Sequence, residues 1–248
     1  MITGPRYGTE EWRAFRRRLV TASRFDDVLS APRTKAAKES GELSQTARSY
    51  LMEIVAATIT GMDKAGARGA SVERGLDKES DAIDAYCRER FLFPDDWSEG
   101  RILQIEDTLI AATPDAFIDN GDREGPGILE VKCPDSKNHL DTFFTRQVPE
   151  QYHAQVLGQL EVSGRQWCDF VSFDDRFPKA MQLIVIRVYP SPQFGAESMP
   201  KIAHFADLVQ QRVDDVRTFL SGMAPHEAAA VVSAMSREED PNNLFAQL

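Results

Sequence analysis

The segment that most constrains the fold of this chain is 113–134, TPDAFIDNGDREGPGILEVKCP. Two short apolar runs, AFI and ILEV, flank a stretch rich in Gly and Asp, which is typical of a β-hairpin. Asp115 ends one strand-like element, and Glu130 and Lys132 lie on the next. Side chains two residues apart on a strand project from the same face. The pattern therefore predicts a hairpin that gathers Asp115, Glu130 and Lys132 on one surface.

This grouping of residue types indicates a metal site. Two carboxylates on one surface repel each other unless a cation lies between them, and Mg²⁺ prefers oxygen ligands. The backbone carbonyl of Val131, between the side chains of Glu130 and Lys132, offers one more oxygen. Lys132 is then placed to orient or activate a water beside a phosphate. A Glu-x-Lys strand arises easily by chance. Here a Pro-Asp pair precedes it by the length of one hairpin, which makes metal-dependent phosphodiester hydrolysis the favoured interpretation.

The rest of the chain alternates between helical and strand periodicity, which predicts an α/β fold. We expect a helix, a short loop and a second helix within 11–30, and a polar loop at 31–46. Further helices are predicted at 46–60, 72–91, 139–145, 149–163 and 205–220, and strands at 102–106, 109–112, 116–118, 128–131, 168–173 and 183–188. Without repeats or a long linker, 1–225 is expected to form one domain, followed by a polar tail at 226–248.

Charge and composition narrow the class of protein. The formal net charge of −10 argues against DNA binding, yet residues 1–40 hold nine Lys and Arg against five Asp and Glu, a local +4. The three cysteines are scattered, so we expect neither a disulfide framework nor a metal-spacing pair, in keeping with a reducing cytoplasm. No apolar run is long enough to span a membrane.

Four blocks of sequence together resemble the family of phage lambda exonuclease and the YqaJ-type viral recombinases. The hairpin block is TPDAF with ILEVKCP, and the others are WRAFRRRLVTASRFDDVLSAPRT, ERGLDKESDAIDAY and YHAQVLGQLEV. They follow the family's order and span 12–162, about two thirds of the chain. The resemblance implies a PD-(D/E)xK nuclease fold, in which helices flank a central mixed β-sheet.

The resemblance also implies roles for individual residues. Metal would be held by Glu79, Asp115, Glu130 and the Val131 carbonyl, with two Mg²⁺ ions expected and Mn²⁺ as a substitute. Lys132 would position the attacking water, and Gln155 would hold that water or the nearby DNA. The 5′-phosphate of a strand end would be bound by Arg16 and Ser23, assisted by Thr21, since an Arg fork and hydroxyls suit a terminal phosphate.

The activity implied is a 5′→3′ exonuclease that degrades the 5′-ended strand of linear double-stranded DNA and leaves 3′ overhangs for recombination. The family further implies a ring-shaped homotrimer, a single-strand annealing protein as partner, and a phage or prophage enzyme acting in the bacterial cytoplasm. Two alternatives stay open at this point, a PD-(D/E)xK endonuclease and a non-catalytic DNA-end-binding protein. His139 and His153 are interpreted as surface or DNA-proximal side chains without a catalytic role.

Overall fold

The computed structural model describes residues 1–62, 70–93, 95–120, 122–223, 226–227 and 230–231, and of 70–77 it describes the backbone alone. The helices are α1 Glu10–Arg16, α2 Phe25–Leu29, α3 Lys35–Glu39, α4 Gln45–Thr60, α5 Ala70–Arg90, α6 Ser136–Thr145, α7 His153–Ser163, α8 Lys179–Gln182, α9 Pro192–Glu197 and α10 Met199–Ser221. The strands are β1 Ile2–Arg6, β2 Val20–Thr21, β3 Trp97–Glu99, β4 Arg101–Gln104, β5 Ile110–Ala112, β6 Ala116–Ile118, β7 Gly127–Lys132, β8 Cys168–Phe173 and β9 Leu183–Val188.

These strands form two mixed sheets. The order is β1-β4-β5-β2 in the four-stranded sheet and β3-β6-β7-β8-β9 in the five-stranded sheet. In the larger sheet β7 and β8 are parallel, and the other neighbours are antiparallel. The smaller sheet pairs β2 with β5 in parallel and is otherwise antiparallel. The expected mixed α/β architecture is confirmed, with the difference that two sheets take the place of one.

Apolar side chains of the five-stranded sheet enter two cores on its opposite faces. On one face, Ile128 and Phe170 join the larger core with residues of α4, α7 and α10. On the other face, Leu129, Val131 and Val171 pack with the α5 side chains. Both faces of β7 are therefore covered, as is usual for parallel strand pairs. A charged side chain on this strand is buried unless it points toward a cleft.

Most predicted helices and strands are found near their expected bounds, and the differences lie at 31–46 and at the start of the chain. The helix expected at 46–60 is α4, and Gly61 caps its C-terminal end. The expectation that 31–46 is a loop is wrong, because Thr34 caps the short helix α3. Strand β1, with Gly and Pro in its sequence, was not expected. It pairs with β4 only, an edge position where a missing N–H is tolerated.

Two predicted boundaries remain, the start of the last helix and the start of the C-terminal tail. The terminal helix α10 begins six residues earlier than predicted, at Met199. The tail predicted at 226–248 lies almost wholly outside the described residues, so the division into domain and tail stays a prediction. Within the described chain, no helix combines the length and the apolar composition that a membrane span requires.

Candidate active site

Asp115 lies immediately before β6, an internal strand of the larger sheet, and not at the end of a strand as predicted. The antiparallel pairing of β6 with β7 continues into it, since the Asp115 N–H donates to the Leu129 carbonyl at 2.9 Å. Its Oδ2 accepts a hydrogen bond from the Val131 N–H at 2.6 Å. The Val131 carbonyl belongs to the same strand edge, because both backbone groups of a strand residue point to one side. The hairpin thus brings Asp115 beside the centre of β7.

Glu130 is 1% exposed and is held by three side chains. Its Oε1 accepts hydrogen bonds from Lys132 Nζ and Gln155 Nε2. Its Oε2 accepts one from Gln159 Nε2 at 2.6 Å. Lys132 and Glu130 therefore share one face of β7, as their spacing predicted, and Gln155 reaches them from α7.

Gln159 is the contact that sequence reasoning missed. It follows Gln155 by four residues on α7, so both amides lie on the same side of the helix. Gln159 is 1% exposed, and its Nε2 also lies 3.4 Å from the Thr113 carbonyl. Its Oε1 has no hydrogen-bond partner among the described atoms. The i,i+4 pair of glutamines was the available signal.

Burial and mutual repulsion shift the acid–base properties of this cluster. Burial raises the pKa of Asp115 well above its usual range, and the nearby Glu130 carboxylate raises it further. The pKa of Glu79 on α5 is raised by burial and then by Glu130. Burial alone would lower the pKa of Lys132, but the charges of Glu130 and Asp115 raise it above its ordinary value. Three carboxylates thus share one ammonium group, and negative charge is in excess.

This surplus of negative charge and the oxygen donors suit a hard divalent cation. Among the described residues, no group of three or more His, Cys, Asp or Glu is already arranged around a metal position. Both oxygens of Glu130 instead accept hydrogen bonds from neighbouring side chains. Donor type and charge fit the predicted ligands Glu79, Asp115, Glu130 and the Val131 carbonyl. Their role as ligands stays a prediction.

The predicted phosphate-binding residues form a second polar cluster. Arg16 Nη2 donates to Thr21 Oγ1 at 3.1 Å and lies 3.4 Å from Ser23 Oγ. The two hydroxyls are 3.2 Å apart. Arg16 ends α1, whereas Thr21 and Ser23 lie in β2 and in the 3-10 turn Ala22–Arg24 that follows it. A guanidinium and two hydroxyls that converge in this way match the donors a phosphate group requires.

Two parts of the fold connect this cluster to the carboxylates. Strand β2 pairs in parallel with β5, and β5 ends three residues before Asp115. Helix α7, which carries Gln155 and Gln159, packs closely against the turn that contains Ser23. A Cβ on Gly158 would lie 2.3 Å from the Phe25 ring, so this approach requires glycine. The two clusters are therefore positioned by shared elements.

Two predictions about other side chains have different outcomes. His139 is fully buried, which makes the expectation of a surface side chain wrong. Its ring nitrogens lie 2.8 Å from Ser172 Oγ and 2.8 Å from the Met181 carbonyl. His153 is exposed. Trp12 packs against the small core around Leu19 and donates from Nε1 to Thr113 at 3.2 Å.

Comparisons with known proteins agree with this architecture. The chain is similar to the crystal structure of an alkaline exonuclease (LHK-Exo) from Laribacter hongkongensis, with 28% identity, a TM-score of 0.72, and coverage of 87% of this chain and 100% of that one. The same protein in complex with dAMP matches at 29% identity, with equal coverage and TM-score. A phage related exonuclease from Haemophilus somnus 129PT shares the fold, with 20% identity, a TM-score of 0.61, and coverage of 82% and 96%.

Sequence comparison supplies the family. No curated protein matches the chain. Residues 11–166, more than half of the chain, match the YqaJ-like viral recombinase domain. That range includes both polar clusters, and the structural neighbours are exonucleases of the lambda type. The chain belongs to the YqaJ-like viral recombinase family.

Proposed function

We propose that this protein is a Mg²⁺-dependent exonuclease that degrades the 5′-ended strand of linear double-stranded DNA and leaves 3′ single-strand overhangs. The observation that carries the proposal is the pairing of two clusters, Arg16 with Thr21 and Ser23, and Asp115 with Glu130 and Lys132. The first cluster would bind a terminal phosphate, and the second would act on the phosphodiester bond that follows. An enzyme built in this way starts at a strand end.

In the proposed reaction, each residue of the acidic cluster has a distinct task. Lys132 keeps its proton at Nζ, fixes Glu130 Oε1, and presents positive charge toward the scissile phosphate. Gln155 orients the attacking water or the adjacent DNA. Glu79, Asp115, Glu130 and the Val131 carbonyl would hold two Mg²⁺ ions, with Mn²⁺ as a substitute. When bound, the cations supply positive charge that offsets the carboxylates and the charge developing on the phosphate.

We further propose a homotrimeric ring through which DNA passes, acting with a single-strand annealing protein in the cytoplasm of a bacterium that carries the phage or prophage gene. A ring reconciles DNA binding with the net charge of −10, because only the inner surface needs to be electropositive. Light scattering at micromolar concentration should give three times the chain mass of 27.8 kDa. A monomer that still digests DNA processively would contradict the ring.

The decisive experiment for the activity compares linear duplexes with and without a 5′-phosphate, each with Mg²⁺ or with chelator, and a closed circular duplex. We expect release of deoxynucleoside 5′-monophosphates from the 5′ ends of phosphorylated linear DNA in Mg²⁺ only. Cleavage of the circle would indicate an endonuclease. Binding of ends without any release of nucleotides would indicate a non-catalytic end-binding protein.

A pair of arginine variants tests the phosphate-binding cluster. Arg16→Ala should reduce the preference for phosphorylated ends by about 10- to 150-fold, because a hydrogen bond to a charged group contributes about 1.5–3 kcal/mol. Arg18 is the matched control, since it is exposed and lies over the Phe15 ring, with its Cζ 5.9 Å from the ring centroid. Arg18→Ala should weaken DNA binding in a salt-dependent manner and leave the preference intact. An Arg16→Ala enzyme with the wild-type preference would refute the assignment.

A further inference from the structure

Tyr7 is fixed close to Asp115 by the backbone. It directly follows β1, and its N–H donates to the Gly100 carbonyl at 3.1 Å. The Gly100 N–H donates in turn to the Asp115 carbonyl at 2.9 Å. A Cβ on Gly100 would lie 1.9 Å from the Pro114 carbonyl oxygen, so only glycine permits this double contact. Two hydrogen bonds therefore separate Tyr7 from the acidic cluster.

The ring of Tyr7 is held against an indole that also lies beside Arg16. It meets Trp12 edge-on, with ring centroids 4.9 Å apart. Trp12 is itself anchored by the 3.2 Å hydrogen bond from Nε1 to Thr113, two residues before Asp115. The guanidinium carbon of Arg16 lies 5.4 Å from the centroid of the same indole. Trp12 thus contacts the phosphate-binding cluster with one part of its ring and Tyr7 with another.

The Tyr7 hydroxyl lies within reach of the charges of the acidic cluster. Burial raises the pKa of Tyr7 to about 12, and the charges of Glu79 and Asp115 raise it as well, while Lys132 opposes them. The phenol therefore stays protonated at neutral pH and can donate a hydrogen bond. Within the described chain this hydroxyl has no hydrogen-bond partner. A half-buried donor of this kind is suited to an acceptor brought by a ligand.

We propose that Tyr7 is a substrate-binding residue whose hydroxyl donates a hydrogen bond to a sugar–phosphate oxygen of the 5′-terminal nucleotide, between the phosphate at Arg16 and the bond cleaved beside Asp115. The ligand class is a deoxynucleoside 5′-monophosphate unit at the end of a strand. This inference rests on the proposed function and extends it, because it adds a neutral donor between a cationic cluster and an anionic one. The N-terminal strand, which lies outside the family match at 11–166, then contributes directly to the site.

Tyr7→Phe tests the inference, because it keeps the ring against Trp12 and removes only the hydroxyl. Two quantities are measured, the dissociation constant of dAMP by calorimetric titration and the single-turnover rate of nucleotide release from a 5′-phosphorylated linear duplex. Each should worsen by about 10-fold, the effect of losing about 1.4 kcal/mol from one hydrogen bond. The melting temperature should stay at the wild-type value. Tyr189→Phe is the matched control, since Tyr189 is 52% exposed and bonds Glu124 at 2.8 Å.

The possible outcomes separate this inference from the proposed function. A Tyr7→Phe protein with wild-type dAMP affinity and wild-type rate overturns the role of Tyr7 and leaves the exonuclease proposal standing. A wild-type protein that fails to digest linear DNA overturns the exonuclease proposal, and the dAMP titration then decides on Tyr7 alone. If Tyr7→Phe melts early, a crystal structure of the wild type with dAMP decides. Tyr7 Oη should lie within about 3.2 Å of a nucleotide oxygen, and a longer distance overturns the inference.

Discussion

Both faces of the five-stranded sheet bury acidic side chains, but the negative charge is neutralised by arginines on one face and is left partly unneutralised on the other. Asp169 on β8 is 0% exposed and accepts hydrogen bonds from Arg187 Nε at 2.8 Å and Nη2 at 2.9 Å. Arg90 adds a third contact at 3.2 Å. In the parallel register Asp169 is the partner of Leu129, so it lies on the face opposite to Glu130. Glu130, 1% exposed, receives one ammonium and two neutral amides.

The difference separates a structural carboxylate from a functional one. Arg187 also stacks on the Trp167 ring, 3.7 Å from its centroid, and bonds Asp122 of the hairpin turn at 2.8 Å. Asp169 is thus the centre of a neutralised network that fastens the hairpin to β9. The opposite face keeps a surplus of negative charge. Burial, and then the charge of Glu130, raise the pKa of Asp115, which opposes folding at neutral pH. Perturbed groups of this type cluster at functional sites, where stability is sacrificed for activity.

The largest expected effect is on activity, from substitutions on the face that carries Asp115, Glu130 and Lys132, here called the charged face. Asp115→Asn should abolish nucleotide release, a loss beyond about 10³-fold, and Lys132→Ala should cost at least about 10²-fold. Because the amide removes a repulsive charge and can still accept from the Val131 N–H, Asp115→Asn should raise the melting temperature in chelator at neutral pH. Release assays and thermal melts on the same preparations check both outcomes. An active Asp115→Asn enzyme, free of contaminating nuclease, would break the comparison.

The same substitution on the other face should have the reverse outcome. Asp169→Asn leaves Arg187 and Arg90 without the buried charge that they share, and such a broken pair costs about 3–5 kcal/mol of unfolding free energy. The folded fraction should digest DNA at the wild-type rate, since no atom of Asp169 faces the carboxylates of the other surface. Chemical denaturation followed by rate measurement on the folded protein checks this. Equal losses of stability in Asp115→Asn and Asp169→Asn would show that the faces do not differ.

Divalent cations should stabilise the fold through the charged face alone. The pKa of Asp115 is higher in the folded protein than in the unfolded chain, where it is about 4. Its contribution to the free energy of unfolding is therefore largest below pH 4 and is lost as the pH rises through the folded pKa. Mg²⁺ at 100 times its dissociation constant should restore about 2.7 kcal/mol at neutral pH. The gain should shrink toward pH 4 and be absent in Asp115→Asn. Melting curves across pH, with and without Mg²⁺, provide the measurement, and a pH-independent gain would contradict the mechanism.

The sequence predicted the hairpin and its acids because both depend on local patterns. Alternation along β7 determines that Glu130 and Lys132 share a face, and the Gly-rich turn determines that Asp115 returns beside them. The neutralised network could not be predicted in the same way. Asp169 is 18 residues from Arg187 and 83 residues from Tyr86 along the chain. Only the sheet register and the packing of α5 bring the three side chains together.

Tyr7 and Gln159 were missed for two different reasons. Tyr7 follows a strand that contains Gly and Pro, and its position depends on a backbone contact with Gly100, which no periodicity encodes. Gln159 did carry a signal, its spacing from Gln155, but a polar residue at that spacing more often covers a solvated helix face. Gln159 is only 1% exposed, and this burial follows from the packing of α7 over β7, which the sequence does not reveal.

The smallest expected effect concerns the neutral amide that holds Glu130. Gln159→Leu removes the donor to Oε2 and leaves Oε1 with Lys132 and Gln155. The carboxylate would then rotate away from its fixed plane, and loss of such a supporting contact typically costs 10- to 100-fold in activity or metal affinity. We expect about a 10-fold lower kcat with an unchanged KM for DNA, because the amide touches the carboxylate and not the strand end.

Gln104 provides the matched control for this substitution. It too is a buried glutamine, 5% exposed, whose Oε1 has no described partner, but its Nε2 bonds the Thr108 carbonyl in the smaller sheet. Gln104→Leu should lower stability by about 1–3 kcal/mol, as for any lost buried hydrogen bond that leaves its partner unsatisfied, with kcat unchanged. If both variants lose stability and neither loses kcat, Gln159 only fills space. If Gln159→Leu alone loses kcat, the charged face depends on donors that orient Glu130 without neutralising it.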